Sequence, residues 1–189
     1  MPKKERSDFK LRKVEKKDIR EVYKLLVQNR PFVGLNSRYT YLLLAKDFSD
    51  TCIVAEHDGK VVAFSSGYIC PNKKDTLFNW EIVVHPDYRG NGLQKKMLLF
   101  QLRNAGVSYL ECTVNPSNRV SKRNFRELAK ALKTQCKEDM MFSEKDFEND
   151  GHEAEVLFRI GPFSSHDIDC LVQPRDLNNL GACGKNNHD

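Results

Sequence analysis

The chain has 189 residues, of which 40% are hydrophobic and 30% are charged. This length suits one compact domain with a sizeable core, and the composition excludes collagen-like, disordered and membrane-spanning chains. The formal net charge is +5, and residues 1–20 account for all of it with nine basic and four acidic side chains. We expect a solvated basic arm over about residues 1–8 and no nucleic-acid partner, with phosphate or RNA binding by this arm as the alternative.

The six cysteines and five histidines show no metal-ligand or disulfide spacing, and no Cys-x-x-Cys pair is present. We therefore expect free cysteines that act as small buried hydrophobic residues, and no metal. The first residues lack the apolar segment of a secretory signal. We expect a cytoplasmic protein without a membrane partner.

The first half of the chain predicts a strand, two helices and a hairpin. Residues 9–14 alternate apolar and basic side chains, which is typical of a half-buried strand. One helix follows Asp18 and a second follows Asn36-Ser37. Residues 51–57 and 60–68 are β-rich and are joined by Asp58-Gly59, a strong hairpin signal. We expect the buried side of the second helix to carry Tyr39, Leu42, Leu43 and Phe48.

The second half predicts alternating strands and helices. A polar loop at 71–75 precedes a near-continuous apolar strand over 77–84. An amphipathic helix over 93–104 stops at Gly106, and a second helix opens at 116–118. Further strands are predicted at 107–114, 134–142 and 155–160, and residues 164–189 are predicted to be a polar, flexible tail. This order indicates an α+β (mixed α/β) fold around one central sheet, with a single domain over residues 1–163.

The segment after the 77–84 strand has the features of a phosphate-binding turn. It contains Arg89-Gly90-Asn91-Gly92 directly before a helix. Glycines let a backbone approach a ligand closely, and the unpaired amides and dipole of a helix N-terminus attract a diphosphate. A Rossmann motif would need glycine at Lys95, and a Walker A loop would need Gly-Lys-Ser or Gly-Lys-Thr, so neither motif is present.

This turn resembles motif A of the GNAT superfamily of acetyl-CoA-dependent N-acetyltransferases. Arg89 and Gly92 match the motif, whereas Gln94 departs at its last position. Several stretches over residues 9–163 are also similar to one branch of the superfamily, the diaminobutyrate acetyltransferases of ectoine biosynthesis. These stretches include 35–44, 50–52, 66–68, 75–80, 109–111, 151–155 and 158–163.

The resemblance implies a fold and a cofactor site. The fold is a mostly antiparallel twisted sheet with helices on both faces, in which two strands splay apart to hold acetyl-CoA. The pantetheine arm would pair with the motif A strand, and the amide of Val84 would stabilise the oxyanion. The residues expected to bind the cofactor are Ile82, Val83, Val84, Arg89, Gly90, Asn91, Gly92, Leu93, Gln94, Asn118 and Phe125.

The resemblance also implies a reaction, the transfer of an acetyl group to the 4-amino group of L-2,4-diaminobutyrate. It further implies a homodimer and a role in osmoprotection. The residues expected to act in catalysis are Glu155, His152 and Val84. Those expected to bind the substrate are Trp80, Tyr39, Asn36, Glu81, Glu153 and Glu155.

Two positions depart from the family pattern. Phe125 stands where many superfamily members have a tyrosine that protonates the leaving thiolate, and Gly34 stands where the branch usually has a substrate-binding Asp. Glu81, where the branch often has Gln, is the candidate replacement for that Asp. A GNAT acetyltransferase for another small diamine or amino acid therefore remains an alternative, as does a module that binds CoA or RNA without turnover.

Overall fold

The computed structural model describes residues 8–31, 33–148 and 150–172. They form one seven-stranded sheet in the order β1-β2-β3-β4-β5-β7-β6. The strands and helices are β1 (Lys10–Lys13), α1 (Ile19–Gln28), α2 (Arg38–Asp47), β2 (Ile53–His57), β3 (Lys60–Cys70), β4 (Lys73–Val84), α3 (Leu93–Ala105), β5 (Tyr109–Val114), α4 (Arg119–Ala131), β6 (Cys136–Phe142), β7 (Glu155–Ile160) and α5 (Ser165–Asp169). Short 3₁₀ helices span Lys16–Asp18, Ser49–Thr51, Pro86–Tyr88 and Glu144–Phe147.

Helices cover both faces of the sheet. On one face, Leu98 and Leu102 of α3 and Leu128 of α4 pack with Leu110 and Phe158 of the sheet. On the other face, the side chains that pack against the sheet come from α1 and α2, and they include Val22, Leu26, Tyr41 and Leu44. The predicted α+β fold with helices on both faces of a mostly antiparallel sheet is confirmed.

Strands β4 and β5 are neighbours only over part of their length. They pair in parallel from Thr76–Asn79 to Tyr109–Cys112, and α3 provides the crossover between them. The last residues of β4, from Trp80 to Val84, have no partner in β5. This end of the sheet is therefore open between the two strands, as the resemblance implies.

A β-bulge lies where the two strands part. Ser66 pairs with Glu81 and Gly67 with Asn79, which leaves Trp80 as the extra residue in β4. A Cβ atom on Gly67 would lie 2.6 Å from the carbonyl oxygen of Phe78. Glycine at this position therefore lets β3 and β4 approach each other at the bulge.

The hairpin prediction at Asp58-Gly59 is confirmed. The two residues connect β2 and β3 and both have positive φ, 49° and 73°. These are the dihedral signs of a type I′ turn, which suits the right-handed twist of the flanking strands.

The structure corrects the predicted orientation of α2. Its buried residues are Tyr41, Leu44 and Ala45. The four residues that we expected on the buried side are exposed instead, and they are Tyr39, Leu42, Leu43 and Phe48. Apolar side chains lie on both faces of this helix, so the packing of Tyr41 against Tyr23 and Phe64 selects the buried face.

Two further boundaries differ from the sequence analysis. The predicted loop at 71–75 is wrong beyond its first two residues, because β4 already begins at Lys73. The residues after 163 do not begin a flexible tail, because α5 follows and Ile168 is buried in the core beside α3. The predicted arm over residues 1–7 and the predicted tail from 173 onward lie outside the described residues.

Two expectations concern features that the sequence lacks. Within the described ranges, no helix is long and apolar enough to cross a membrane. No group of three His, Cys, Asp or Glu side chains in the same ranges could hold a metal ion. The cysteines of this part of the chain are free; Cys52 and Cys112 are buried as expected, whereas Cys170 is exposed.

Candidate active site

The open end of the sheet exposes main-chain groups of β4. The amide of His85 donates to the carbonyl of Val62 at 2.9 Å, and Ala63 lies opposite Val84. Because hydrogen bonds to an antiparallel neighbour alternate along a strand, the amides of Ile82 and Val84 point away from β3, toward the gap beside β5. An extended ligand in this gap would therefore meet unpaired main-chain donors.

The glycine turn lies next to this gap. Gly90 and Gly92 have φ of 79° and 72°, and no atom in the described ranges lies within 4 Å of a Cβ atom built on either residue. Gly92 is the N-cap of α3, whose first amides have no carbonyl partner inside the helix. Asn91 closes the turn by donating to the carbonyl of Tyr88 at 2.9 Å. The arrangement suits a diphosphate held by main-chain amides.

Arg89 braces this turn against the rest of the domain. Its Nε donates to the carbonyl of Val84 at 3.2 Å, and its guanidinium also donates to the side chain of Asn29. Asn29 is buried at the end of α1, where it donates to the carbonyl of Leu25. A direct contact from Arg89 to a phosphate stays a prediction.

Gln94 presents an unsatisfied donor beside the turn. Its Oε1 accepts from Asn124 of α4 at 2.7 Å, whereas its Nε2 is buried and has no hydrogen-bond partner in the part of the chain that the structure describes. A buried donor without an acceptor is costly, so this amide is suited to a ligand oxygen. The motif departure at Gln94 thus adds a polar group to the predicted cofactor site.

Four other predicted cofactor residues have side chains that pack or form hydrogen bonds within the protein itself. Val83, Leu93 and Phe125 are buried, and Phe125 packs against Phe158 at 6.2 Å between ring centroids. Their side chains therefore belong to the core, and Val83 and Leu93 have only their main chain to offer a cofactor. Asn118 caps α4 by accepting from the amide of Ser121 at 3.0 Å.

Glu155 and His152 lie together, as a catalytic pair would. Glu155 Oε1 accepts from Asn115 Nδ2 at 3.1 Å and lies 3.8 Å from His152 Nε2. The His152 ring stacks on Phe147 at 4.1 Å, and its Nδ1 lies 2.7 Å from the carbonyl oxygen of Glu153. A proton on Nδ1 would leave Nε2 free to exchange a proton next to Glu155.

Glu153 is engaged elsewhere. Its carboxylate accepts hydrogen bonds from both the amide and the hydroxyl of Ser117, in the segment that leads into α4. These bonds hold the pKa of Glu153 below its usual value. Glu153 therefore holds this segment in place, and its contact with the substrate stays a prediction.

Glu81, Tyr41 and Asn36 are connected across the space between β4 and α2. The hydroxyl of Tyr41 lies 3.4 Å from Glu81 Oε1 and accepts from the amide of Asn36 at 3.2 Å. Burial raises the pKa of Glu81 to about 7 and that of Tyr41 to about 12. A carboxyl group with such a pKa changes charge near neutral pH.

The remaining predicted substrate residues are more exposed. Trp80 is 46% exposed at the bulge, so part of its side chain is available to a ligand. Tyr39 is 69% exposed on α2, whereas Tyr41, two residues later in the same helix, lies beside Glu81. Tyr41 and Ser66 were not predicted as site residues, although both lie in stretches that carry the resemblance. Ser66 is fully buried, and within the described ranges its hydroxyl has no hydrogen-bond partner.

Comparisons with known proteins agree with this geometry. Residues 19–130 match the model of the Acetyltransferase (GNAT) family. An L-2,4-diaminobutyric acid acetyltransferase from Virgibacillus pantothenticus is 48% identical over 133 residues, which cover 69% of this chain and 84% of the relative. The enzyme of the same name from Oceanobacillus iheyensis is 39% identical over 160 residues, or 82% of this chain and 89% of the relative.

A solved structure extends the likeness to three dimensions. The diaminobutyrate acetyltransferase of Paenibacillus lautus, in complex with its substrate L-2,4-diaminobutyric acid and coenzyme A, has a TM-score of 0.77 and 36% identity. The match covers 83% of this chain and 96% of that one. The Ard1 protein of Thermoplasma volcanium, with a TM-score of 0.68 and 14% identity, shares the fold. The chain therefore belongs to the GNAT family of acetyltransferases.

Proposed function

We propose that this protein transfers the acetyl group of acetyl-CoA to the 4-amino group of L-2,4-diaminobutyrate. The observation that carries the proposal is the gap between β4 and β5, where the amides of Ile82 and Val84 are unpaired next to the glycine turn. The names of the relatives at 39–48% identity supply the substrate, and the Paenibacillus lautus complex supports both ligands.

The chemistry follows from this geometry. The 4-ammonium group first gives a proton to a base, because an ammonium group with a pKa near 10 is rarely neutral at pH 7. The neutral amine then attacks the thioester carbon, and the Val84 amide donates to the oxyanion. Collapse of the intermediate breaks the C–S bond, the nitrogen gives up its second proton to form the amide, and the CoA thiolate takes up a proton and is released as the thiol. We assign the base to Glu155 with His152, whose proton-accepting atoms lie 3.8 Å apart.

A second candidate substrate class has one observation in its favour. Gly34 leaves open space in the loop before α2, since no atom of the described residues lies within 4 Å of a Cβ atom built there. A binding site without a side chain at this position could accept a diamine of different length. The competing function is therefore acetyl transfer to another small diamine or amino acid.

One assay distinguishes these functions. We expect CoA release from acetyl-CoA to be fastest with L-2,4-diaminobutyrate in a panel that includes ornithine, lysine and putrescine. Product analysis by NMR should locate the acetyl group on N4. Faster turnover of a longer diamine would replace the proposed substrate within the same family, and acetyl-CoA binding without transfer to any amine would remove the enzymatic function.

The cellular setting and assembly are further parts of the proposal. We place the protein in the cytoplasm, in ectoine biosynthesis and in the response to osmotic stress, and genes for a transaminase and an ectoine synthase beside its own would support this. We also propose a homodimer, because the edge strand β6 exposes Met140, Met141 and Phe142. Light scattering should give twice the mass of the chain, and a single-chain mass would contradict it.

A further inference from the structure

A polar pocket lies on the α2 side of the sheet, just after the bulge. Ser66 and Glu81 are directly opposite each other in β3 and β4, so their side chains project from the same face. Ser65, the neighbour of Ser66, donates to Gln101 of α3, which places Ser66 on the opposite face of the sheet from α3. Tyr41 of α2 reaches Glu81 from above this face.

Glu81 differs from the other carboxylates that are withdrawn from solvent. Asp18 is paired with Arg12 at 2.7 Å, and Glu111 with Lys73 at 2.8 Å and also with Arg159. In the described part of the chain, no Lys, Arg or His forms an ion pair with Glu81, and its hydrogen-bond partner is Tyr41. Glu81 is half-buried, and withdrawing even part of a carboxylate from solvent without a cation costs free energy, so its presence here calls for a function.

The hydroxyl of Ser66 points to the same conclusion independently. Ser66 is 0% exposed, and its Oγ has no hydrogen-bond partner among the described residues. A buried hydroxyl is normally satisfied, and no group in the described part of the chain satisfies this one. An acceptor hydroxyl beside a carboxylate that lacks a cation forms a receptor for a group with several N–H donors, such as an ammonium group.

We infer that Glu81, Ser66 and Tyr41 form the subsite for the non-reacting 2-ammonium group of the substrate. This inference rests on the proposed function. The reacting amine must approach the thioester in the gap beside β5, in the plane of the sheet, whereas the side chain of Glu81 projects from that plane toward α2. The cation held by Glu81 is therefore the one at the other end of the short diamino acid.

The test compares two amines that differ only in this group. L-2,4-Diaminobutyrate carries the 2-ammonium group, and 4-aminobutyrate has the same chain and carboxylate without it. For Glu81→Gln we expect the affinity of the enzyme–CoA complex for diaminobutyrate, measured by calorimetry, and kcat/KM to fall about 100-fold, a loss typical of a buried charge pair. Values for 4-aminobutyrate should stay unchanged. Ser66→Ala should show the same selectivity at about 10-fold.

Glu127→Gln is the matched control, since Glu127 is exposed on α4 and pairs with Lys130. An equal loss for both amines would make Glu81 the base of the reaction and overturn the inference, as would unchanged binding of diaminobutyrate. Failure of the proposed function is a separate result, because the unmodified enzyme would then not acetylate diaminobutyrate at all.

Discussion

At the scale of single residues, the charge on Glu81 that would bind the substrate also lowers the stability of the folded protein. Its pKa is raised from 4.5 to about 7 by burial. The folded protein therefore holds this proton more tightly than the unfolded chain does. The resulting stability is fully present below pH 4.5 and is lost as the pH rises through 7.

This sign leads to a prediction for Glu81→Gln. At pH 8 we expect the free energy of unfolding to increase by about 2 kcal/mol, because the variant removes a charge that is half-buried without a cation. Near pH 5 the variant and the unmodified protein should have similar stability. Urea unfolding at both pH values measures the difference.

Glu111 provides the opposite control. Its ion pairs with Lys73 and Arg159 lower its pKa, so its contribution to stability is present at neutral pH and is lost as the pH falls. Glu111→Gln should therefore destabilise the protein at pH 8. Loss of stability in the Glu81 variant at this pH would contradict our description of Glu81 as an unpaired carboxylate.

The same carboxyl group predicts a pH dependence of substrate binding. Tyr41 of α2 is the titratable group that faces Glu81, and it stays protonated at neutral pH because burial raises its pKa. Protonation of Glu81 below about pH 7 should raise the KM for diaminobutyrate. If the KM of the Glu81→Gln variant rises between pH 8 and pH 6 as steeply as that of the unmodified protein, this prediction is contradicted.

Candidate residues could be predicted from the sequence more reliably than their side-chain directions. Glu155 and His152 are close together as expected, since only two residues separate them along the chain. Tyr39 and Tyr41 lie in the same helix, only two residues apart, and both are aromatic, so the sequence alone does not separate their roles. Tertiary packing of α2 on α1 decides that Tyr41 faces Glu81 while Tyr39 is exposed.

At the scale of elements, the bulge in β4 depends on Gly67. An added methyl group would lie 2.6 Å from the Phe78 carbonyl oxygen, so the two strands would have to move apart. For Gly67→Ala we expect a loss of about 1–3 kcal/mol in stability. Activity should fall as well, because the bulge orients Trp80 and Glu81; thermal unfolding and the thiol-release assay measure both effects. Full activity at unchanged stability would contradict the role given to the bulge.

The turn before α3 provides a second prediction. Gly92 has φ of 72°, and Gly106 at the other end of the same helix has φ of 62°. A side chain in this conformation costs about 1 kcal/mol at either position. The Gly92→Val and Gly106→Val variants should therefore be destabilised by similar amounts.

Cofactor binding separates the two variants. The Gly92 side chain would enter the open space at the turn, so calorimetry should show at least tenfold weaker acetyl-CoA binding for Gly92→Val, about 1.4 kcal/mol. The affinity of Gly106→Val should be unchanged. Equal affinities in the two variants would exclude the turn as the diphosphate site.

Local signals predicted the elements, and the structure adds their pairing. The Asp58-Gly59 turn, the Asn118 cap and the Gly106 stop are each specified by a few neighbouring residues. The gap between β4 and β5 depends on strands that are distant in sequence. It could be expected only through the family resemblance, because no local pattern states where two strands cease to pair.

At the scale of the whole molecule, the sheet order places the two halves of the site side by side. The crossover through α3 brings β5 next to β4, and β7 then pairs with β5, so that Glu155 lies near the end of β5.

The end of the domain shows that polar composition alone does not predict which residues remain outside the folded domain. The polar segment after residue 163 contains Ile168, which is buried in the core, and Leu171 and Val172, which pack against the same cluster.

The central claim is that the gap between β4 and β5 holds acetyl-CoA and presents it to a diamino acid. A crystal structure of the protein with CoA and L-2,4-diaminobutyrate tests this most directly. We predict that the pantetheine arm pairs with the main chain of Ile82 and Val84, with the diphosphate at the start of α3 and one ammonium group on Glu81. Coenzyme A bound anywhere other than this gap would contradict the account.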